Sequence, residues 1–175
     1  MADVVPSGPL SLPFSGCAKL LAASETFREL MTPEGHAGTL SESEVLAYID
    51  YPKSTRDGGS QQPQIPLAVI SSDDQDQWEM TVQRHSYGTL LLSLLISIPE
   101  EYLDDPPNAE LYFRNTVGAI FDEMYDVANT PAGDGSVYWN MVLIRQVIAP
   151  AECDNVLRPE GVDPYYGGTW EVTYV

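Results

Sequence analysis

The chain has 175 residues, 43% of them hydrophobic and 19% charged, proportions that suit one folded domain with a real core. Twenty-six acidic residues face eight basic ones, a formal net charge of −18. Such a surface repels phosphate backbones and anionic lipid, which argues against sequence-reading contact with nucleic acid. It suits a basic partner, or a wall past which a polyanion slides, and acidity serving solubility alone fits the composition equally well.

Residues 1–14 contain three prolines and little periodicity, and read as an extended arm ahead of a single domain over 15–175. "MADVVPSGPL" lacks a basic region followed by an apolar run, so no secretory signal is expected. "SGCAKLLAASETFRELM" then places Cys17, Leu20, Leu21, Ser24, Phe27 and Met31 on one face at helical spacing. Ser15 is the candidate N-cap and "TPEG" the stop. "SESEVLAYI" carries a capping-box signature, Ser41 with Glu44, opening a short helix whose Val45, Leu46 and Ile49 face the core. "YIDYP" ends as a strand leading into the connection 53–66, which is rich in glycine, proline and polar residues.

From there the pattern turns to β. "IPLAVIS" predicts a short strand. "SYGTLLLSLLISIPE" is nearly continuous in apolar residues and predicts a central strand covered on both faces; Gly88, Thr89 and Pro99 favour strand over buried helix. "DDPPNAELYFRNTVGAIFDEMYDVANT" predicts a long helix with Phe113, Val117, Ile120, Phe121, Met124 and Ala128 in one stripe. Asp104 and Asp105 lie near its positive N-terminal end. "SVYWNMVLIRQVIAP" and "GGTWEVTYV" close the chain as strands, with Tyr138, Asn140, Val142 and Ile144 alternating in one and Trp170, Val172 and Tyr174 in the other. Strands and helices do not alternate strictly. The class is therefore α+β: a mostly antiparallel sheet with one long helix and a shorter N-terminal helix packed on it. Its core is expected to include Phe27, Leu92, Leu94, Phe121, Met124, Val142, Ile144 and Trp170.

Chemistry is hard to find. Cys17 and Cys153 are far apart and form no C-x-x-C pair, so neither a disulfide framework nor a zinc site is indicated. Cys17, on the apolar side of its helix, reads as a buried inert thiol. The longest apolar stretch, Leu90 to Ile98, is about half of a bilayer span, and a soluble chain made in a reducing compartment is expected. His36 and His85 each stand alone, and no cysteine or G-x-S-x-G serine has a base nearby. "RDGGS" and "PAGDGS" lack the lysine and helix of a phosphate cradle and read as turns. Glu100–Glu101 and Asp104–Asp105 cannot be singled out as catalytic where acid is this abundant. No catalytic residue, cofactor or metal is expected, and the protein reads as a non-enzyme.

Residues 71–80, "SSDDQDQWEM", raise the metal question most directly. Asp73, Asp74, Asp76 and Glu79 are hard oxygen ligands. As an EF-hand starting at Asp74, however, the loop has Glu79 where the turn glycine belongs and His85 where the bidentate glutamate belongs. The stretch reads as a solvated acidic rim. Trp78 within it either folds back over the sheet or anchors another chain, since tryptophans are frequent hot spots. Tyr165 and Tyr166 in "VDPYYGG" form a second candidate contact pair, on a loop held open by proline and glycine.

The order of pieces resembles a known family. "LLAASETFRELM", "VLAYIDYP", "IPLAVIS", the strand ending "LLISIP", the helix "LYFRNTVGAIFDEMYDVA" and the closing "GGTWEVTYV" together are similar in layout to the tail terminator proteins of long-tailed bacteriophages. The likeness spans roughly residues 16–175 and carries no invariant motif. It implies a small α+β virion protein forming a homohexameric ring on the last ring of the tail tube, at the neck of the virion. The implied partners are the chain itself, the tail tube protein and the head-completion or connector protein, with genomic DNA passing unbound and no membrane involved. Two alternatives stand beside it: another neck component, such as a head-completion or tube-adaptor protein, and a metal-dependent hydrolase using Asp73, Asp74 and Asp76.

Titration calorimetry with calcium, magnesium and manganese separates the last alternative. Replacing Asp73, Asp74 and Asp76 by asparagine is expected to leave folding and metal response unchanged, and loss of a bound ion with a hydrolytic activity would revive the enzyme. Trp78→Ala is expected to weaken assembly by about 2 kcal/mol or more while barely changing monomer stability.

Overall fold

The computed structural model describes residues 11–50, 66–72, 79–80, 86–129, 141–152 and 165–174. Helix α1 (Leu12–Ala23) starts with Pro13 in its first turn, where the N–H that proline lacks would have had no intrahelical partner. It therefore opens ahead of Ser15, and Ser11 takes the N-cap position; the extended arm expected over 1–14 is helical from Leu12 onward. The single N-terminal helix expected from the apolar spacing is also divided. Ser24 takes an extended backbone, ψ 124°, and α2 (Glu25–Met31) restarts beneath its hydroxyl, which accepts from the Phe27 N–H at 3.0 Å.

After α2 the chain reverses through Gly35 and Gly38, with φ of 85° and 90°, a backbone region that favours glycine. The capping box then forms as the sequence indicates: Glu44 accepts from the Ser41 N–H at 2.9 Å, and Ser41 opens α3 (Glu42–Val45). A 3₁₀ turn, Leu46–Tyr48, follows immediately. Its tighter period rotates Leu46 off the side shared by Val45 and Ile49, so Leu46 is exposed where the sequence suggested core.

The strands are β1 (Ile49–Asp50), β2 (Leu67–Ser72), β3 (Glu79–Met80), β4 (Ser86–Ser97), β5 (Met141–Glu152) and β6 (Tyr165–Tyr174), with α4 (Pro106–Asn129) between β4 and β5. They lie in the order β1-β2-β4-β6-β5, with β3 also paired to β4. Only the short β1–β2 pair is parallel; β2–β4, β3–β4, β4–β6 and β5–β6 are antiparallel. The fold is α+β, as expected. Placing β6 beside β4 leaves β5, the earlier strand, outside it, so α4 connects the central strand to the sheet margin.

Period-two alternation decides which side chains meet the helices. Leu92 lies opposite Ile70 on one side and Trp170 on the other, and these share a buried face with Ala68, Leu90, Leu94, Ile96, Tyr166 and Val172. Helix α4 lays Ala109, Phe113, Val117, Ile120 and Met124 against it, a stripe advancing by three or four residues. Phe113 stacks on Trp170 at 6.1 Å between ring centroids, and Phe121 meets the same indole edge-on at 5.2 Å. Phe27, Leu92, Leu94, Met124 and Trp170 are buried as expected, and Phe121 is partly buried against them. The side chains of Val142 and Ile144 lie outside the described residues.

Among the described residues, the helices cover one face of β4. Its even-numbered positions are buried, whereas Leu91, Ser93, Leu95 and Ser97 are only half-buried. Helices α1 and α2 pack on α4, which itself lies over the Trp170 face, so the described helices share one side of the sheet.

Gly168 is what lets the indole lie down. A Cβ there would stand 2.6 Å from the Trp170 ring, whereas a Cβ on Gly167 would meet Leu95 at an ordinary 3.5 Å. Gly168→Ala is therefore expected to destabilise the fold by about 1–3 kcal/mol through displacement of Trp170, and Gly167→Ala by no more than about 0.5 kcal/mol. Urea denaturation of the two variants checks the contrast.

Candidate functional site

The residues singled out from sequence do not converge. Asp73, Asp74, Asp76 and Trp78 lie outside the described residues. What flanks them is informative: Ser72 pairs with Leu90 and Glu79 with Tyr87. Seven residues of chain thus advance the pairing along β4 by three. The two strands that flank the acidic stretch, β2 and β3, both pair with β4.

Tyr165 and Tyr166 sit within β6, not on a loop, and alternation sends them to opposite faces. Tyr166 is 6% exposed, with its ring 5.7 Å from that of Phe113 and its hydroxyl 3.5 Å from the Pro106 carbonyl oxygen, to which it donates. It is a core residue and offers no contact surface, which corrects the expectation for that position. Tyr165 is half-buried on the other face, where it pairs with Ser97. The neighbouring proline and glycines suggested an open loop, but Gly167 and Gly168 are paired in the sheet with Leu95 and Leu94.

The most elaborate polar arrangement among the described residues was not anticipated. Glu123, on α4, accepts from the Ser24 hydroxyl at 2.6 Å and the Thr26 N–H at 3.1 Å through Oε2, and from the Thr26 hydroxyl at 2.6 Å through Oε1. Ser24 is fully buried and its oxygen also caps Phe27. Burial opposes ionisation of this carboxyl most, but the hydrogen bonds from Ser24, Thr26 and the backbone of Thr26 and Glu25 together outweigh it and hold the pKa below the ordinary glutamate value. A carboxylate so placed is an anion at the amino end of α2, filled with donors from one neighbouring helix. It joins helices; it has no proton to exchange near neutrality.

Other candidate groups are similarly committed. Asp105 caps α4, its Oδ1 accepting from the Asn108 backbone N–H at 3.4 Å and its Oδ2 from the Asn108 side-chain amide at 2.6 Å. Glu110 and Arg114 form an exposed ion pair at 2.7 Å, one turn apart. His36 Nδ1 lies 2.8 Å from the Gly38 carbonyl oxygen within the same turn. Burial pushes the Cys17 thiol up to about 12, so at neutral pH it is no nucleophile. Among the described residues no group of three or more histidine, cysteine, aspartate or glutamate side chains could hold a metal ion, and no helix is long and apolar enough to cross a membrane.

Of the remaining exposed acids, Glu25, Glu29, Glu42, Asp122 and Asp126 belong to the helices, Glu34 and Asp104 to turns, and Asp50 to β1. The sheet's other face presents leucine, valine and hydroxyl side chains together with the acids Asp50, beside Val69, and Glu171. No protein-family model matches the chain, and no curated protein matches it.

The signal that could have exposed the Glu123 tie was partial. "SETF" places Ser24 three residues before Phe27, a capping spacing, but the carboxylate lies 99 residues from Ser24. Because the folded pKa is depressed, the unfolded chain binds more protons as pH falls through the carboxyl range. The tie's contribution is complete above the unfolded value of about 4.3 and is lost as pH drops through the lower folded value. Glu123→Gln should remove about 1–3 kcal/mol at pH 7, because its amide hydrogens face the hydroxyl and amide donors. It should also flatten the acid limb of the stability–pH curve, measured by urea denaturation from pH 7 downward.

Proposed function

We propose that the protein is a structural virion component that forms a homohexameric ring at the head-proximal end of a long phage tail. There it ends tube growth and joins the tail to the head connector. The observation that carries this reading is the order and kind of the elements. A helical N-terminal region, a short edge, a long central strand, a long helix and two closing antiparallel strands make the layout in which the sequence resembles tail terminators.

The electrostatics support the same role. A channel that genomic DNA crosses must not hold it, and a chain of net charge −18 repels phosphate. The role is architectural rather than catalytic: Glu44, Asp105, Glu110 and Glu123 are engaged in capping, pairing or tying helices together. The partners on this reading are neighbouring copies, the tail tube protein below and the head-completion protein above.

Electron microscopy of particles assembled without this protein tests the reading. Tails of uncontrolled length and unjoined heads are expected; tails of normal length joined to heads would refute it. The purified chain is expected to be monomeric when dilute and to form rings on tube ends. Its association should strengthen as salt rises to about 0.15 M, where a screening length of about 8 Å weakens acid–acid repulsion.

A further inference from the structure

We propose that Ser24 is a one-residue hinge, latched by Glu123, at which α1 and α2 pass between the bent arrangement and one continuous helix. From Cys17 to Met31 the chain contains no glycine or proline, and its apolar residues keep helical spacing across the joint. Local preference therefore favours a single helix, and the fold overrides it at one residue. Ser24 has φ −64° and ψ 124°, so only ψ departs from the α-helical pair of about −63° and −42°. Rotation about a single backbone bond separates the two forms.

The polar contacts that hold the bend compete directly with the continuous helix. Ser24 Oγ accepts from the Phe27 N–H at 3.0 Å, and Glu123 Oε2 accepts from the Thr26 N–H at 3.1 Å. In an unbroken helix those two amides would instead donate to the carbonyls of Ala23 and Ala22, four residues back. Glu123 also holds the Ser24 and Thr26 hydroxyls at 2.6 Å each, so one carboxylate from α4 fixes both sides of the joint.

Apolar burial sets which form dominates. Phe27 and Met31 are buried, and α2 packs on α4. Straightening would swing α2 away from α4 and expose both side chains, so the bent form is the major state of the free chain. The continuous helix is the minor state of a two-state element, and the Glu123 latch governs its population. The hinge concerns a single chain and does not rest on the ring reading.

Spin labels at the exposed positions Leu12→Cys and Glu29→Cys read the hinge in the full chain, with Cys153→Ser as background and Cys17 left buried. In a continuous helix the two Cα atoms would stand about 25 Å apart, at about 1.5 Å per residue, and any bend shortens that separation. With Glu123 in place, one shorter distance is expected. Glu123→Ala should raise the straight form by about tenfold or more, giving a second population near 25 Å. Glu123→Gln, a milder change, should act in the same direction if the alanine variant fails to fold. Glu25→Pro supplies the control, since proline suits the first position of α2 and confines Ser24 to extended ψ. Added to either Glu123 variant, it should abolish the long distance. A single short distance in both Glu123 variants would overturn the inference. So would a long distance that survives Glu25→Pro, because it would report loosening of α2 rather than a continuous helix.

Discussion

Trp170 is the contact through which the helix layer and the sheet become one body. Its indole lies over Gly168 of its own strand and receives Phe113 and Phe121, two turns apart on α4. Phe113 also reaches Tyr166, so a single strand presents two aromatic side chains and one deliberate gap to a single helix. Each ring pair adds about 0.5–1.5 kcal/mol beyond burial of area, and its geometry is directional where leucine packing is not. The rings therefore fix how α4 is rotated as well as where it lies. The rotation matters because the next turn of α4 carries Glu123.

With α4 set by the aromatic contacts, Glu123 comes to the start of α2 and a second, polar connection forms. Ser24 and Thr26 supply every donor but the backbone ones, and α1 must end at Ser24 for them to converge. The break in the N-terminal helix is thus a requirement of tertiary structure. This connection also gives the chain opposing responses to acid. Protonating the exposed carboxylates relieves self-repulsion and favours compactness, whereas protonating Glu123 removes an acceptor from three hydrogen bonds. The second effect acts on a specific joint and the first on the whole surface.

These two connections explain what was legible in the sequence. The stripe of α4, the capping box of α3 and the central strand are recorded in local spacing, so Phe27, Leu92, Leu94, Met124 and Trp170 could be placed in the core from periodicity. Ser24 could not be placed, because a serine on a helix face is unremarkable until a carboxylate from elsewhere meets it. Tyr166 was misread for a related reason: glycines beside it signal a loop by default, whereas here one of them makes room for an indole. Leu46 followed an α-helical period into a segment that is 3₁₀. For the candidate site, the sequence marked Asp73, Asp74, Asp76 and Trp78, which fall outside the described residues, and it marked Tyr165 without indicating its face.

Among the described residues, most exposed acids lie on the helices, and Asp50 and Glu171 lie on the outward side of the sheet. The buried sides of the acidic helices are held by the Trp170 and Glu123 contacts, while Glu44 and Asp105 cap helices and Glu110 pairs with Arg114. On the sheet face the Ser93 and Thr169 hydroxyls lie 2.8 Å apart, between half-buried leucines and near Asp50 and Glu171. A screening length of about 8 Å confines repulsion to near neighbours at physiological salt, so copies of the chain need only keep their acids farther apart than that where they meet. Under the proposed ring arrangement, assembly and exclusion of a polyanion then become compatible properties of one strongly acidic chain.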